Sequence, residues 1–195
     1  MIELPATPAP RSIAVRPISF GFIMRGAASL HVYRPGSRWA IDIDYPPMKY
    51  EQSHEFVALL TRVKIEGIPL RVPVPTLLDQ SIQGTPTVFG SGQAGNQLAL
   101  QGFQTNPDYE ARAGFWLTIV DPNGACLHQV AQTTQSVGGE ATVAINPPLR
   151  APHANGTPVR FDQPFIEGFI DGDDWSWTVP TNGLIAPSFT VEEYR

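Results

Sequence analysis

The chain of 195 residues has a formal net charge of −5 at pH 7, and no stretch concentrates Lys and Arg. This charge pattern argues against a protein that grips nucleic-acid phosphates. Charged residues make up only 16% of the chain, whereas 20 Pro and 17 Gly approach a fifth of it. Pro removes a helix donor and Gly raises the entropic cost of ordering a helix, so the composition predicts a mainly-β fold.

Cysteine content and apolar segments indicate the cellular compartment. The single cysteine, Cys126, permits no intramolecular disulfide, as is usual in proteins that fold in a reducing cytoplasm. The first ten residues hold neither a basic nor an apolar segment, which argues against a secretion signal. No window approaches the roughly 20 apolar residues of a membrane helix. We therefore expect a soluble protein made inside a cell.

Several segments alternate apolar and polar residues, the pattern of strands with one buried face. In residues 38–45 the odd positions are large and apolar, and the even positions are small or charged. Weaker alternation lies at 29–33, 115–120 and 188–192. Turn sequences lie at 34–37, 121–124 and 138–139. We expect these strands to be antiparallel neighbours joined by hairpins.

One segment predicts a helix. Residues 51–64 contain neither Pro nor Gly, and their apolar residues fall on one helical stripe. The stripe consists of Phe56, Leu59, Leu60 and Val63. Acidic residues begin the segment and basic residues end it, as the helix dipole favours, and Gly67 follows. We expect the only long helix of the chain at about 51–64.

A change in composition predicts an inserted domain. Residues 86–161 carry few charges, whereas the flanking segments contain the helix, paired aspartates and a Trp-rich tail. Insertions are tolerated at surface loops whose ends lie close together. We therefore expect a first domain formed by residues 1–85 and 162–195, and a small β-barrel formed by 86–161.

The candidate chemical sites have simpler structural interpretations. Asp42 and Asp44 share one strand face and resemble an acid and base pair, but their spacing permits that geometry without selecting it, and a solvated face explains them. Cys126 and His128 also share a face, without a cation or helix N-terminus that would activate the thiol. The acidic segment 171–174 lacks the longer ligand series of a calcium loop. We expect it to form a turn before a strand at 175–179, with Trp175 and Trp177 in the core.

The glycine-rich segment 90–95 matches the dinucleotide-binding fingerprint letter for letter. That fingerprint needs a helix whose N-terminus receives the pyrophosphate, and the following segment is short and bounded by glycine. We therefore interpret residues 90–95 as a flexible linker between domains. No catalytic, cofactor-binding or metal-binding residue is predicted.

The order of motifs within the predicted insertion is more informative. The motifs are Gly90, Gly92 and Gly95; Leu98 and Gly102-Phe103; Arg112, Gly114 and Phe115-Trp116; Gln129-Val130; residues 138–143; and Pro147, Pro148, Leu149 and Arg150. In this order they resemble the distal tail protein family of long-tailed bacteriophages, in its short form with a barrel insertion. Relatives carry an Asp after the Arg-Ala-Gly sequence, where this chain has Phe115. The turn at this position must therefore be stabilised in another way.

The resemblance implies a two-part structural subunit without enzymatic activity. The first domain resembles the tube-protein fold, a β-sandwich or split barrel whose sheets join around a six-fold ring. The insertion resembles an oligonucleotide-binding-type barrel. The resemblance implies a hexameric ring at the tail tip of the virion, made in the host bacterial cytoplasm. It would connect the tail tube protein to the tail hub protein beside the tape-measure protein.

Six copies would carry a formal charge of −30, six times −5, and an acidic bore would let DNA pass without binding it. Asp42 and Asp44 are the candidates for lumen-facing residues. Three alternatives remain: another tail tube or baseplate component, a carbohydrate-binding β-sandwich and, with least support, a small hydrolase. The carbohydrate alternative rests on Trp39, Trp116, Trp175 and Trp177, and weak saccharide contact is compatible with a tail protein.

Overall fold

The computed structural model describes residues 1–26, 29–32, 36–76, 79–105, 107–181 and 183–194. Strands account for 49% of the chain and helix for 9%, so the predicted mainly-β fold with one helix is confirmed for these ranges. The helix within them is too short and too polar to cross a membrane. In chain order the elements are β1 (Ile2–Glu3), β2 (Ser12–Ile18), β3 (Phe22–Arg25), β4 (Ser29–Val32), β5 (Arg38–Asp44), β6 (Met48–Lys49), α1 (Tyr50–Glu66), β7 (Leu70–Pro73), β8 (Gly84–Val88), β9 (Gly95–Phe103), β10 (Glu110–Ala111), β11 (Trp116–Asp121), β12 (Gly124–Val130), β13 (Thr134–Gln135), β14 (Glu140–Leu149), β15 (Val159–Arg160), β16 (Phe165–Ile170), β17 (Leu184–Ile185) and β18 (Ser188–Glu193).

The first compact unit comprises Met1–Arg16, Trp39–Pro75 and Ile166–Tyr194. Its six-stranded sheet has the order β1-β7-β16-β18-β5-β2. β1 runs parallel to β7, whereas β18 runs antiparallel to both β16 and β5. The alternation predicted for 38–45 is confirmed at Trp39, Ile41 and Ile43, which are buried, and at Asp44, which is exposed, but Ala40 on the predicted solvated face is buried as well.

The predicted pairing of that strand is wrong. β5 pairs with β18, far along the chain, with Ile43 opposite Phe189 and Ile41 opposite Val191. Alternation specifies which face of a strand is buried and leaves its partner open, so two well-patterned strands can pair at any separation. The predicted hairpin between 115–120 and the following strand is confirmed, because β11 and β12 pair across the turn at Pro122 and Asn123.

The predicted helix is confirmed and is slightly longer than expected. α1 spans Tyr50–Glu66, and Gly67 ends it in the left-handed conformation with φ 60° and ψ 41°. Leu59 of the predicted stripe is only half-buried. The buried residues of α1 are Ser53, Phe56, Val57, Leu60 and Val63. The Phe56 ring packs on Tyr45 at 4.6 Å between centroids, and burial raises the pKa of Tyr45 to about 12.

The second compact unit comprises Pro17–Arg38 and Thr76–Phe165. Its six-stranded sheet has the order β15-β11-β12-β14-β9-β8. The two end strands meet through a bridge between Thr87 and Pro158, so the sheet is nearly closed into a barrel. Its core includes an aromatic cluster in which Phe103 stacks on Tyr109 at 5.4 Å and Phe161 meets both rings edge-on.

Two glycines allow a close approach of β8 and β9 where their register shifts. A Cβ on Gly102 would lie 2.5 Å from the Thr85 carbonyl oxygen, and one on Gly84 would lie 2.5 Å from the Gly102 carbonyl oxygen. Any side chain here would force the two backbones apart. Gly102 of the motif series therefore has a structural role in the barrel.

The bounds of the two units differ from the predicted domain bounds. Pro17–Arg38 belongs to the second unit, although the sequence placed it in the first domain, and the second unit starts at Thr76. An inserted domain at 86–161 stays a prediction, because compactness alone does not establish independent folding. Of the predicted turn at 34–37, the first two residues lie outside the described residues, as does the end of the predicted strand 29–33.

Candidate functional site

Asp42 and Asp44 lie on one face of β5, as predicted, and each is bound by a neighbouring side chain. Arg16 Nε lies 3.0 Å from Asp42 Oδ2, and the Thr190 hydroxyl donates to Asp42 Oδ1 at 2.6 Å. The Ser12 hydroxyl donates to Asp44 Oδ2 at 3.0 Å. The two carboxylates therefore contact separate partners across the strands beside β5. This arrangement suits a solvated sheet face, and a lumen-facing position stays a prediction.

The glycine-rich segment is a hairpin loop that joins β8 to β9. The interpretation as a linker between domains is wrong, because the loop connects two neighbouring strands of one sheet. β9 begins at the last glycine of the fingerprint, so no helix N-terminus is present to receive a pyrophosphate. The φ values are 83° at Gly90, 76° at Gly92 and 83° at Gly95.

Gln93 holds this loop in place. Its Nε2 donates to the carbonyl oxygens of Phe89 at 2.8 Å and Ala99 at 3.1 Å, and its Oε1 accepts from the Ala99 amide at 2.6 Å. The amide of Gly90 donates to Asn155 Oδ1 at 2.8 Å. A side-chain amide thus supplies hydrogen bonds that a strand residue would otherwise make.

The motif around Arg112 and Gly114 forms a turn without the aspartate that members of the resembled phage family carry there. The Phe115 amide donates to the Arg112 carbonyl oxygen at 3.0 Å, and the Gly114 amide donates to the Val130 carbonyl oxygen at 2.8 Å. Gly114 has φ 91°, a conformation that glycine adopts readily. The Arg112 side chain lies 2.7 Å from Glu110 Oε2 at the surface. Backbone hydrogen bonds therefore stabilise this turn.

The proline motif forms the end of β14 and binds a buried histidine. Pro147 is buried, and its carbonyl oxygen lies 2.8 Å from His128 Nδ1. Burial lowers the pKa of His128 to about 3, with a smaller contribution from Arg150, so the ring is neutral and donates its Nδ1 proton. This contact joins β12 to the motif. The remaining motif residues, Pro148, Leu149 and Arg150, are half-buried.

The acidic segment 171–174 is bound by a lysine of α1. Lys64 Nζ donates to the carbonyl oxygens of Ile170 at 3.0 Å, Asp171 at 3.5 Å and Gly172. Within the part of the chain that the structure describes, no group of three His, Cys, Asp or Glu side chains is placed to hold a metal ion. The Lys64 ammonium group therefore lies beside the carbonyl oxygens of this segment.

The predicted strand at 175–179 is wrong, and its tryptophans are not core residues. This segment has no regular secondary structure, Trp177 is 39% exposed and Val179 is 57% exposed. Alternation indicates a buried strand face only where a neighbouring strand pairs with the segment, and none does here. The two indole rings lie 5.1 Å apart, and Trp175 Nε1 donates to the Ser188 carbonyl oxygen at 3.2 Å.

A groove of about 450 Å³ runs along the exposed side of α1 and ends at Trp177. We call it the α1 groove. His54, Arg62, Ile65 and Glu66 contribute to its lining. Trp177 is among the tryptophans of the carbohydrate alternative above. The helix residues of the groove lie opposite the apolar stripe, so no sequence pattern marks them.

The second exposed feature is the two-stranded ribbon formed by β3 and β4. Phe22 pairs with Val32 and Met24 pairs with Leu30, so these four side chains share one face. Phe22 is 42% exposed, Met24 is 54% exposed and Leu30 is 60% exposed. We call this the ribbon face. β4 is predicted from the sequence, whereas β3 is not. The sequence of β3 contains an unbroken apolar run at 22–24.

No protein-family model matches the sequence, and no curated protein matches it. The observations that bear on function are therefore the geometry above and the order of motifs in the sequence.

Proposed function

We propose that this protein is a structural subunit of the tail tip of a long-tailed bacteriophage. It forms a homo-oligomeric ring, hexameric as in the resembling family, that connects the tail tube to the hub and receptor-binding apparatus. Its partners are further copies of itself, the tail tube protein, the tape-measure protein and the tail hub protein. The role is architectural, and DNA passes through the ring without specific binding.

The observation that carries this proposal is the ribbon face. A two-stranded ribbon has marginal stability in water, because it offers only one row of backbone hydrogen bonds and little buried area. The ribbon of this chain also exposes Phe22, Met24 and Leu30 on one side. Natural proteins rarely leave apolar strands uncovered in this way unless another chain covers them.

A second copy of the chain is the occupant that this surface favours. A contact between the ribbon face of one copy and a different surface of the next is heterologous, and repetition of such a contact closes a ring or extends a filament. Burial of one half-exposed apolar side chain contributes about 1 kcal/mol, so three of them contribute about 3 kcal/mol per contact. On its own this amount corresponds to a dissociation constant of several millimolar, so the ribbon face is one part of a larger contact between subunits.

Two further features support the proposal. The motifs from Gly90 to Arg150 occur in the order of the distal tail protein family, and the fold combines a one-helix β unit with a nearly closed barrel. The negative charge suits a bore that repels DNA, with Asp42 and Asp44 as candidates for its lining. Another tail tube or baseplate component has the same requirements for self-association and remains the alternative.

The test compares two substitutions in adjacent residues of β3. Met24→Glu places a carboxylate on the ribbon face, whereas Ile23→Glu places it on the opposite face, and both positions are 54% exposed. A carboxylate buried without a partner costs at least about 3 kcal/mol, so Met24→Glu weakens association by more than about 100-fold. Light scattering coupled to gel filtration measures the mass of each species.

The proposal expects rings from the natural protein and from Ile23→Glu, and monomers from Met24→Glu. A natural protein that stays monomeric at high concentration, with and without its tail tube partner, contradicts it. So does a Met24→Glu variant that assembles as well as Ile23→Glu.

A further inference from the structure

The α1 groove combines an aromatic wall with a polar rim. Trp177 forms the wall, and its ring is 39% exposed although it lies in a segment without regular secondary structure. An indole ring gains free energy when it is buried, so an exposed one beside a concave surface is typical of a ligand-binding site.

A second tryptophan holds Trp177 in position. The centroids of the Trp175 and Trp177 rings lie 5.1 Å apart with an angle of 34° between their planes. Trp175 is itself anchored by the hydrogen bond from Nε1 to the Ser188 carbonyl oxygen. Lys64 holds the start of the same segment through its carbonyl oxygens. These contacts order an exposed aromatic surface before any ligand arrives, which lowers the entropic cost of binding.

The rim presents planar polar groups with balanced charge. Arg62 Nε lies 3.0 Å from Glu66 Oε2, and the two side chains are 62% and 49% exposed. His54 Nδ1 lies 2.9 Å from the Glu51 carbonyl oxygen. The Arg62 guanidinium donates and the Glu66 carboxylate accepts, so the rim offers both hydrogen-bonding roles, and these two charges cancel.

We propose that the α1 groove binds a neutral oligosaccharide. A sugar with equatorial hydroxyl groups has a flat face of C–H bonds, which stacks on an indole, and an edge of hydroxyl groups that both donate and accept. Trp177 matches the face, and Arg62 and Glu66 match the edge. The groove volume of about 450 Å³ lies within the roughly 300–1,000 Å³ of small-molecule sites. An anionic ligand would meet the Glu66 carboxylate, and a purely apolar one would make no hydrogen bond to the exposed Arg62 and Glu66 side chains.

This site shares no residue with the ribbon face, so the two proposals can be tested separately. The probe is cellotriose, a neutral trisaccharide with equatorial hydroxyl groups. The four Trp residues give four indole N–H signals in a nitrogen-correlated NMR spectrum, and a Trp177→Phe variant assigns the relevant one. Titration with cellotriose measures the dissociation constant from its shift.

The proposal expects a saturable shift of the Trp177 signal. For the variants the shift of the Trp175 signal reports binding. Trp177→Ala weakens binding at least about tenfold, since it removes the stacking surface. Arg62→Met keeps the length of the side chain and removes its donors, and it weakens binding several-fold. The matched control is Phe169→Ala, which removes another ring that is 39% exposed and leaves binding unchanged.

Three results would overturn the proposal. The first is the absence of a saturable shift with cellotriose, and the second is equal affinity in Trp177→Ala or in Arg62→Met. The third is a Trp177 signal that changes with protein concentration instead of sugar, which identifies a second copy as the occupant. Titration of the Met24→Glu variant separates the two proposals, because sugar binding there persists even when ring formation is lost.

Discussion

Replacement of Gln80 by leucine tests how the barrel-like sheet of the second unit is held together. Gln80 is 5% exposed, and its Nε2 donates to the carbonyl oxygens of Trp116 at 2.9 Å and Phe161 at 2.8 Å. Its Oε1 accepts from the Trp116 amide at 3.0 Å. β15 pairs with β11 at Thr118 and Ile119, so the side chain of Gln80 bonds the start of β11 on the edge that β15 does not reach, opposite the edge paired with β12.

Leucine has a similar size and makes none of these hydrogen bonds. Gln80→Leu leaves the part-buried N–H group of Trp116 and the carbonyl oxygens of Trp116 and Phe161 without this partner, and each such group costs about 1–3 kcal/mol. The lower end of that range gives a loss of about 3 kcal/mol. For a chain of this length the melting temperature then falls by roughly 6–12 °C.

Urea denaturation followed by circular dichroism measures the loss, and hydrogen exchange at the Trp116 amide reports the local effect. Gln104→Leu is the control, because the Gln104 side chain makes comparable hydrogen bonds near the surface, where water replaces them. We expect that control to lose less than about 1 kcal/mol. An unchanged midpoint for Gln80→Leu, with a Trp116 amide that exchanges as slowly as before, would refute the reasoning.

Two further substitutions test the packing of each unit. In Gly168→Ala the new Cβ would lie 2.1 Å from the Glu192 carbonyl oxygen on β18. We therefore expect the free energy of unfolding, measured by urea denaturation, to fall by more than about 3 kcal/mol. A smaller decrease would show that the two strands separate easily. His128 stays neutral when folded because burial lowers its pKa to about 3, whereas in the unfolded chain it binds a proton below about 6.5. The free energy of unfolding therefore falls by about 1.4 kcal/mol for each pH unit from 6.5 towards 3. His128→Gln keeps a donor for the Pro147 carbonyl oxygen and removes this pH dependence between pH 6.5 and 5. Parallel curves for the two proteins over this interval would contradict the assignment.

The sequence predicts those elements whose patterns are local. α1 has a complete apolar stripe, a run free of Pro and Gly, and a terminal glycine, so its bounds are nearly correct. β5 alternates clearly, β11 and β18 alternate more weakly, and all three are correct as strands. In each case the pattern that predicts the element lies within the element itself, so it can be read from the local sequence.

Properties that depend on distant partners are predicted poorly. The alternation of Trp175 and Trp177 is as regular as that of a strand, yet none of the described strands pairs with this segment, and Trp177 is exposed while Trp175 is half-buried. Gln80 and Gln93 each replace part of a strand through their side-chain amides, and nothing in their local sequence distinguishes them from surface glutamines. The ribbon face is missed for a similar reason, because an apolar run such as 22–24 fits a buried strand equally well.

Native mass spectrometry of the natural protein shows directly whether the chain self-associates. We expect a species of six subunits, about 128 kDa as six times 21.3 kDa, that Met24→Glu abolishes. A single species of 21.3 kDa at every concentration, in the presence of the tail tube protein as well, would contradict it.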